Sequence, residues 1–242
     1  MNKFWNWLKD EETGERILRI NGAIAEESWF ADDVTPKIFR DELESSTGNI
    51  AVWLNSPGGD VFAASQIYTM LKDYRGQVTI KIDSLAASAA SIIAMAGDVT
   101  EISPTGMMMI HNPETMAIGN ADEMKAAMKM LGEVKESIIN AYERKTKLPR
   151  EVISKLMDAE TWFNAKKAVE LGFADKILFS EKQSGEEFAA AAYSPRHVTN
   201  SIIKAFGTKF KKEIRVKGKR RDTLKEHEDF IGGYKNGVAR NV

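Results

Sequence analysis

Cysteine is absent from this 242-residue chain. That excludes disulfide frameworks, thiolate-bound zinc, iron–sulfur clusters and thiol nucleophiles, and it fits a reducing compartment. Histidine is nearly as scarce, at three residues. His197 and His227 fall in a basic C-terminal stretch, which leaves His111 as the imidazole open to a folded active site. Long apolar runs are missing too. The longest weakly polar stretch, Leu85 to Gly97, contains serines and falls short of the roughly 20 residues that span a bilayer. The apolar start Phe4 to Leu8 is cut by Lys9 to Glu12 before a signal-peptide core of about 7–15 residues develops. A cytoplasmic protein without a membrane partner is expected. The patterns GxGxxG, GxxxxGK[ST], HExxH, GxSxG and the EF-hand loop are also lacking, so neither a metal nor a nucleotide cofactor is expected.

With 43% hydrophobic residues, the chain can bury a core of its own. The net charge of −1 hides an asymmetry: residues 181–242 hold 14 Lys and Arg against 8 Asp and Glu, so the preceding body is acidic. This shift, with the alanine-rich and then basic composition after Ser180, sets the expected organisation. A leader covers 1–15, a main folded domain 16–180 and a basic, flexible appendage 181–242.

Within the body, residues 16–25 read as a strand broken at Asn21-Gly22. Asn49 to Asn55 is an apolar run ending at Ser56-Pro57-Gly58-Gly59. From Asp60, a plausible N-cap, Val61, Ala64, Ile67, Tyr68 and Leu71 recur at helical spacing. Val78, Ile80 and Ile82 alternate as in a strand, and Ala86 to Ala96 read as a small-residue helix closed by Gly97. Two consecutive strand–turn–helix units imply a parallel sheet. Val99–Ile102 and Met107–Ile110 read as short strands. Met124, Met128, Leu131, Val134, Ile138 and Tyr142 stripe a long helix from Asp122 to about Lys147. Thr161–Phe163 is β-prone, Asn164 caps a helix from Ala165 to Leu171, and Lys176–Phe179 closes the pattern.

His111 ends an apolar run and precedes Asn-Pro, a place where a loop exposes a side chain at a sheet edge. Ser84, Ser88 and Ser91 lie at a strand-to-helix transition, where outward backbone N–H groups can hold an oxyanion. A nucleophilic serine needs an imidazole to take its proton and a third group to orient the ring. Gly58 and Gly59, after a strand, let the backbone approach a ligand closely.

The set NSPGGD (Asn55–Asp60), AASAAS (Ala86–Ser91) and MIHNP (Met109–Pro113), in that order, resembles the ClpP family of serine peptidases, and ETWFNAKKAVELGFADKI (Glu160–Ile177) is similar to its closing loop, helix and strand. The resemblance covers about residues 17–179. It implies an α/β fold of the ClpP/crotonase-like kind, a spiral of strand–turn–helix units with a long handle helix joining rings. It implies Ser88 as nucleophile and His111 as general base, with Gly59 and Ala89 giving the oxyanion-hole amides. Gly58 and Gly59 then border the strand on which peptide adds. The orienting acid is Glu160, where the family usually has Asp, with Asp158 as the competing choice. Ala89 and Ala90 replace the family's bulky residue and Gly after the nucleophile.

The implied partners are polypeptide substrates, a homo-oligomeric ring (a heptamer or stacked rings), and either a Clp-type unfoldase ATPase or phage scaffold and capsid proteins. The divergent acid and basic tail resemble the branch encoded by phages and prophages, whose members process head proteins. Nucleic acid is not an expected partner. Rival readings are a crotonase-like acyl-CoA enzyme without a serine nucleophile, a membrane-associated Ser-Lys peptidase, and an inactive ring-forming subunit.

Overall fold

A computed structural model describes residues 3–24 and 36–180; the segment 181–242, read above as an appendage, lies outside the described residues. The described residues belong to the first of two units, Met1–Ser184. In chain order they form β1 (Trp5–Lys9), β2 (Arg16–Asn21), α1 (Pro36–Glu44), β3 (Ile50–Ser56), α2 (Val61–Asp73), β4 (Val78–Ala87), α3 (Ala89–Ala94), β5 (Val99–Ile102), β6 (Met107–Ile110), α4 (Ala121–Thr146), α5 (Arg150–Asp158), β7 (Thr161–Asn164), α6 (Ala165–Glu170) and β8 (Lys176–Ile177).

Strands β2, β3, β4, β5 and β8 pair in parallel, and β1 adds antiparallel to β2. The mixed α/β architecture with a parallel sheet is as expected from the alternating units. The stretch 1–15 is more than a leader, because from Trp5 to Lys9 it supplies a strand whose register runs Trp5↔Ile20 to Lys9↔Arg16. Trp5 is buried against Phe39 and donates its indole N–H to Glu42 of α1 at 2.8 Å, which gives this apolar start a reason to be ordered.

The core forms where the inward faces of Leu18, Ile20, Ile50, Val52, Leu54, Ile80 and Ile82 meet Ile67, Leu71, Ile92 and Ile93 of α2 and α3. Asp60 caps α2, accepting from the Ala63 amide at 2.8 Å, and Asn164 caps α6, accepting from Lys167 N. Asn120 and Glu123 make a capping box at the start of α4.

Strand β4 is the element that builds the site. Its first half pairs with β5 (Thr79↔Val99 to Ile82↔Ile102) and its second half with β6 (Leu85↔Met107 to Ala87↔Met109). Between the halves its register with β3 slips, from Leu54↔Ile82 to Ser56↔Ala86. The strand therefore forks the sheet and carries its C-terminal end between the ends of β3 and β6. The helix expected over Ala86–Ala96 is accordingly shorter. Ala86 and Ala87 are strand residues, because pairing of Ala86 with Ser56 and Met108 and of Ala87 with Met109 satisfies their backbone groups and overrides the helical preference of alanine.

Candidate active site

Ser88 sits between the last residue of β4 and the first of α3, with φ 53° and ψ −128°. A non-glycine residue rarely adopts positive φ, and it persists only where the surroundings enforce it. Here the Ser88 amide donates to the Met109 carbonyl at 2.9 Å, while its own carbonyl accepts from Ser91 N. Because β4 and β6 run side by side in the same direction, the residues just past their ends come together. Ser88 Oγ lies 2.7 Å from His111 Nε2. With Nε2 accepting from the hydroxyl, the ring proton falls on Nδ1.

Gly58 passes directly over this turn. A Cβ added there would lie 2.7 Å from Ser88 Cβ and 2.9 Å from Ala89 N, so only glycine allows the approach. Gly59 bridges Ile24 in a parallel pairing that uses the Gly58 carbonyl and the Asp60 amide, so the Gly59 N–H lies outside that ladder. Ala89 is the first residue of α3, and its N–H has no intrahelical acceptor. Both residues, with Ser88, His111 and Glu114, line a cleft of about 360 Å³ whose apolar wall includes Phe62, Ile92, Leu131 and Val134. A larger hollow of 1080 Å³ lies beside β1, around Trp5, Trp7 and Arg16, and shares none of these residues.

The structure separates the two acid candidates. Asp158, at the end of α5, accepts from Lys135 Nζ at 2.6 Å and from Asn112 Nδ2 at 2.9 Å. These bonds, Lys135 first, hold its carboxyl below the ordinary aspartate range. It braces the residue after His111 without touching the imidazole. Glu160 has φ 45° and accepts from Trp162 Nε1 at 3.3 Å, so it forms no hydrogen bond or ion pair with His111 either. Yet the β6–β7 ladder runs antiparallel to its last pair, Ile110↔Thr161, and His111 and Glu160 are the residues that directly follow and precede that pair. The carboxylate within 4.0 Å of Nδ1 is that of Glu114, with a side chain 83% exposed. Glu114 carried no signal in the sequence, where it reads as one loop acid among many.

Ser84 is exposed, but Ser91 is fully buried and bonds the Ser88 carbonyl and the Tyr142 hydroxyl. The Met-rich stretch splits: Met108 and Met109 fill the core, whereas Met116 and Met128 stand in solvent. The stripe of α4 splits in the same way. Ile138 and Tyr142 are buried, and the half bearing Met124 and Met128 is not. Among the described residues no helix is long and apolar enough to cross a membrane, and no cluster of His, Asp and Glu could hold a metal ion.

A forked parallel sheet that ends in a strained serine, hydrogen-bonded to an imidazole in a cleft lined by Gly59 and Ala89, defines an α/β protein of the ClpP-like kind. The chain belongs to the Clp protease family, whose model matches residues 5–181. It is 30% identical over 184 residues to the ATP-dependent Clp protease proteolytic subunit 1 of Chlamydia pneumoniae, covering 74% of this chain and 95% of that protein. It is 31% identical over 154 residues to the subunit of that name from Chlamydia caviae, covering 62% and 81%. With the ATP-dependent Clp protease proteolytic subunit of Deinococcus radiodurans it shares 24% identity over 177 residues, covering 72% and 86%.

Proposed function

We propose that the protein is a serine endopeptidase, and the observation that carries the reading is the 2.7 Å contact of Ser88 Oγ with His111 Nε2 at a positive-φ turn. A peptide extends along the Ser56–Gly59 edge and places its scissile carbonyl over Ser88. Ser88 Oγ attacks the carbonyl carbon while its proton passes to Nε2 of His111. The oxyanion that forms is met by the amides of Gly59 and Ala89. His111 then gives that proton to the leaving amine, the C–N bond breaks, and an acyl-enzyme remains. Water, deprotonated by the same imidazole, hydrolyses the ester and restores Ser88. Glu160 orients the ring from across the ladder.

The relatives' names, the exposed apolar half of α4 and the basic C-terminal composition support the wider reading. The subunits assemble into a homo-oligomeric ring, heptameric or stacked, through α4. The substrates are unfolded polypeptides delivered by a Clp-type ATPase or phage head and scaffold proteins, handled in the cytoplasm. Residues 181–242 are an appendage outside the catalytic unit, as the end of the family match at 181 supports.

A fluorophosphonate probe tests the chemistry, because only an activated serine reacts. Wild-type protein should label, and Ser88→Ala and His111→Ala should not; equal labelling of Ser88→Ala would overturn the assignment. Native mass measurement of wild type and Met128→Asp tests assembly, the variant being expected to fall to smaller species.

A further inference from the structure

Two buried hydroxyls lie behind the nucleophile. Ser91 Oγ, in the first turn of α3, is 2.5 Å from the Ser88 carbonyl oxygen and 2.7 Å from the hydroxyl of Tyr142, which α4 delivers from the opposite side. Ser91 is fully buried and Tyr142 is 1% exposed, so water does not compete for either group. The direction of the chain follows from the supply of protons. A carbonyl only accepts, so the single Ser91 proton is committed to Ser88 O, and the contact with Tyr142 must use the phenol proton. The order is Tyr142 O–H to Ser91 O–H to Ser88 C=O. Burial pushes the Tyr142 pKa above the ordinary phenol value, which keeps that donor protonated.

The Ser88 carbonyl and the Ala89 N–H belong to one peptide group. In a planar trans peptide the two point in opposite directions. Drawing the carbonyl inward, toward Ser91 and Tyr142, therefore turns the Ala89 N–H outward to the cleft. The Ser88 carbonyl also accepts from the Ser91 N–H at 2.9 Å, so the hydroxyl adds a second bond to the peptide that carries ψ −128° and the strained turn with Oγ against His111.

We propose that Ser91 and Tyr142 are positioning residues whose hydroxyl chain clamps the Ser88–Ala89 peptide, aiming the oxyanion amide and the nucleophile together. The inference rests on the reading of Ser88 as nucleophile. It goes further in assigning work to α4, which becomes a support for the reacting serine as well as a wall of the cleft. Loosening the clamp should weaken stabilisation of developing charge and leave reversible binding alone, since the phenyl ring and the cleft wall stay in place.

The test is the rate of fluorophosphonate labelling of the full chain, resolved into the reversible binding constant and the maximal rate of inactivation, for wild type, Tyr142→Phe and Ser91→Ala. Each is measured well below its own melting temperature. The expected result is a maximal rate about ten-fold lower in Tyr142→Phe, at least as low in Ser91→Ala, with the binding constant within about two-fold of wild type. A variant that melts earlier yet labels at the wild-type maximal rate would show packing alone and overturn the clamp, as would a change confined to the binding constant. Should Ser91→Ala fail to fold, Tyr142→Phe decides, because it removes one oxygen and keeps the ring. A wild-type chain that does not label at all would instead overturn the reading of Ser88, so the two failures are distinct.

Discussion

The β6–β7 ladder ends at Ile110↔Thr161, and the residues next in line beyond that pair are His111 and Glu160. The Glu160 carboxylate is turned to the Trp162 indole, and its backbone is held at φ 45°. One 3.3 Å bond from Trp162 engages the Glu160 carboxylate, which leaves its side chain free to turn. Asp158 has no such freedom, since Lys135 and Asn112 already occupy it.

Glu160→Gln is therefore expected to lower turnover by about 10²- to 10⁴-fold without shifting the melting temperature, because an orienting acid fixes the tautomer rather than packing the core. Asp158→Asn should cost less than about ten-fold. Steady-state hydrolysis of a fluorogenic peptide by both variants checks this, and the reverse ranking would transfer the role to Asp158.

Acid stability should depend on Asp158. Its folded pKa is depressed, first by the Lys135 bond and then by Asn112, from an ordinary value of 3.8. A depressed carboxylate contributes stability above its unfolded pKa, and that contribution is lost as the pH falls through the folded pKa. Wild-type melting temperature should thus fall below about pH 4, and Asp158→Asn should show a flatter acid limb. Melting curves between about pH 3 and 6 measure it; identical slopes would mean the ion pair contributes nothing, as many exposed pairs do.

Strain at the nucleophile predicts a trade of activity for stability. Glycine tolerates φ 53° without a Cβ clash, so Ser88→Gly should abolish labelling yet stabilise the fold by about 1 kcal/mol, the relief exceeding the added chain entropy of glycine. For a domain of this size that is a rise of roughly 2–4 °C. A fall in melting temperature would show the turn to be relaxed.

Gly58→Ala should do the opposite of a harmless methyl addition. The new Cβ meets Ser88 Cβ at 2.7 Å, Ala87 O at 2.8 Å and Ala89 N at 2.9 Å, at a residue with φ 100°. Destabilisation on the order of 2–4 kcal/mol and loss of labelling are expected. Calorimetry and probe labelling read the two separately, and a folded, fully active variant would show that the loop can withdraw.

Much of this was legible along the chain. The alternating apolar residues of β3 and of Val78–Ile82, the capping residues Asp60 and Asn164, and the glycine turn at Gly58-Gly59 are local signals, set by periodicity and by hydrogen bonds within a few residues. They determined the α/β class and the parallel sheet, while the choice of Ser88 among Ser84, Ser88 and Ser91 as the partner of His111 came from the resemblance of the ordered motifs.

What the chain did not show depends on pairings between distant segments. Alanines at 86 and 87 extend β4 only because β3 and β6 flank them. Residues 5–9 form a strand because β2 presents a free edge and α1 receives Trp5. The buried bond from Tyr142 to Ser91 joins residues 51 apart in sequence, with no spacing rule to link them. That Glu160 and His111 flank the last pair of the β6–β7 ladder follows from an antiparallel register that no one-dimensional pattern encodes, since hydrophobic alternation fixes which face a side chain takes and leaves its cross-strand neighbour to be decided by the folded sheet.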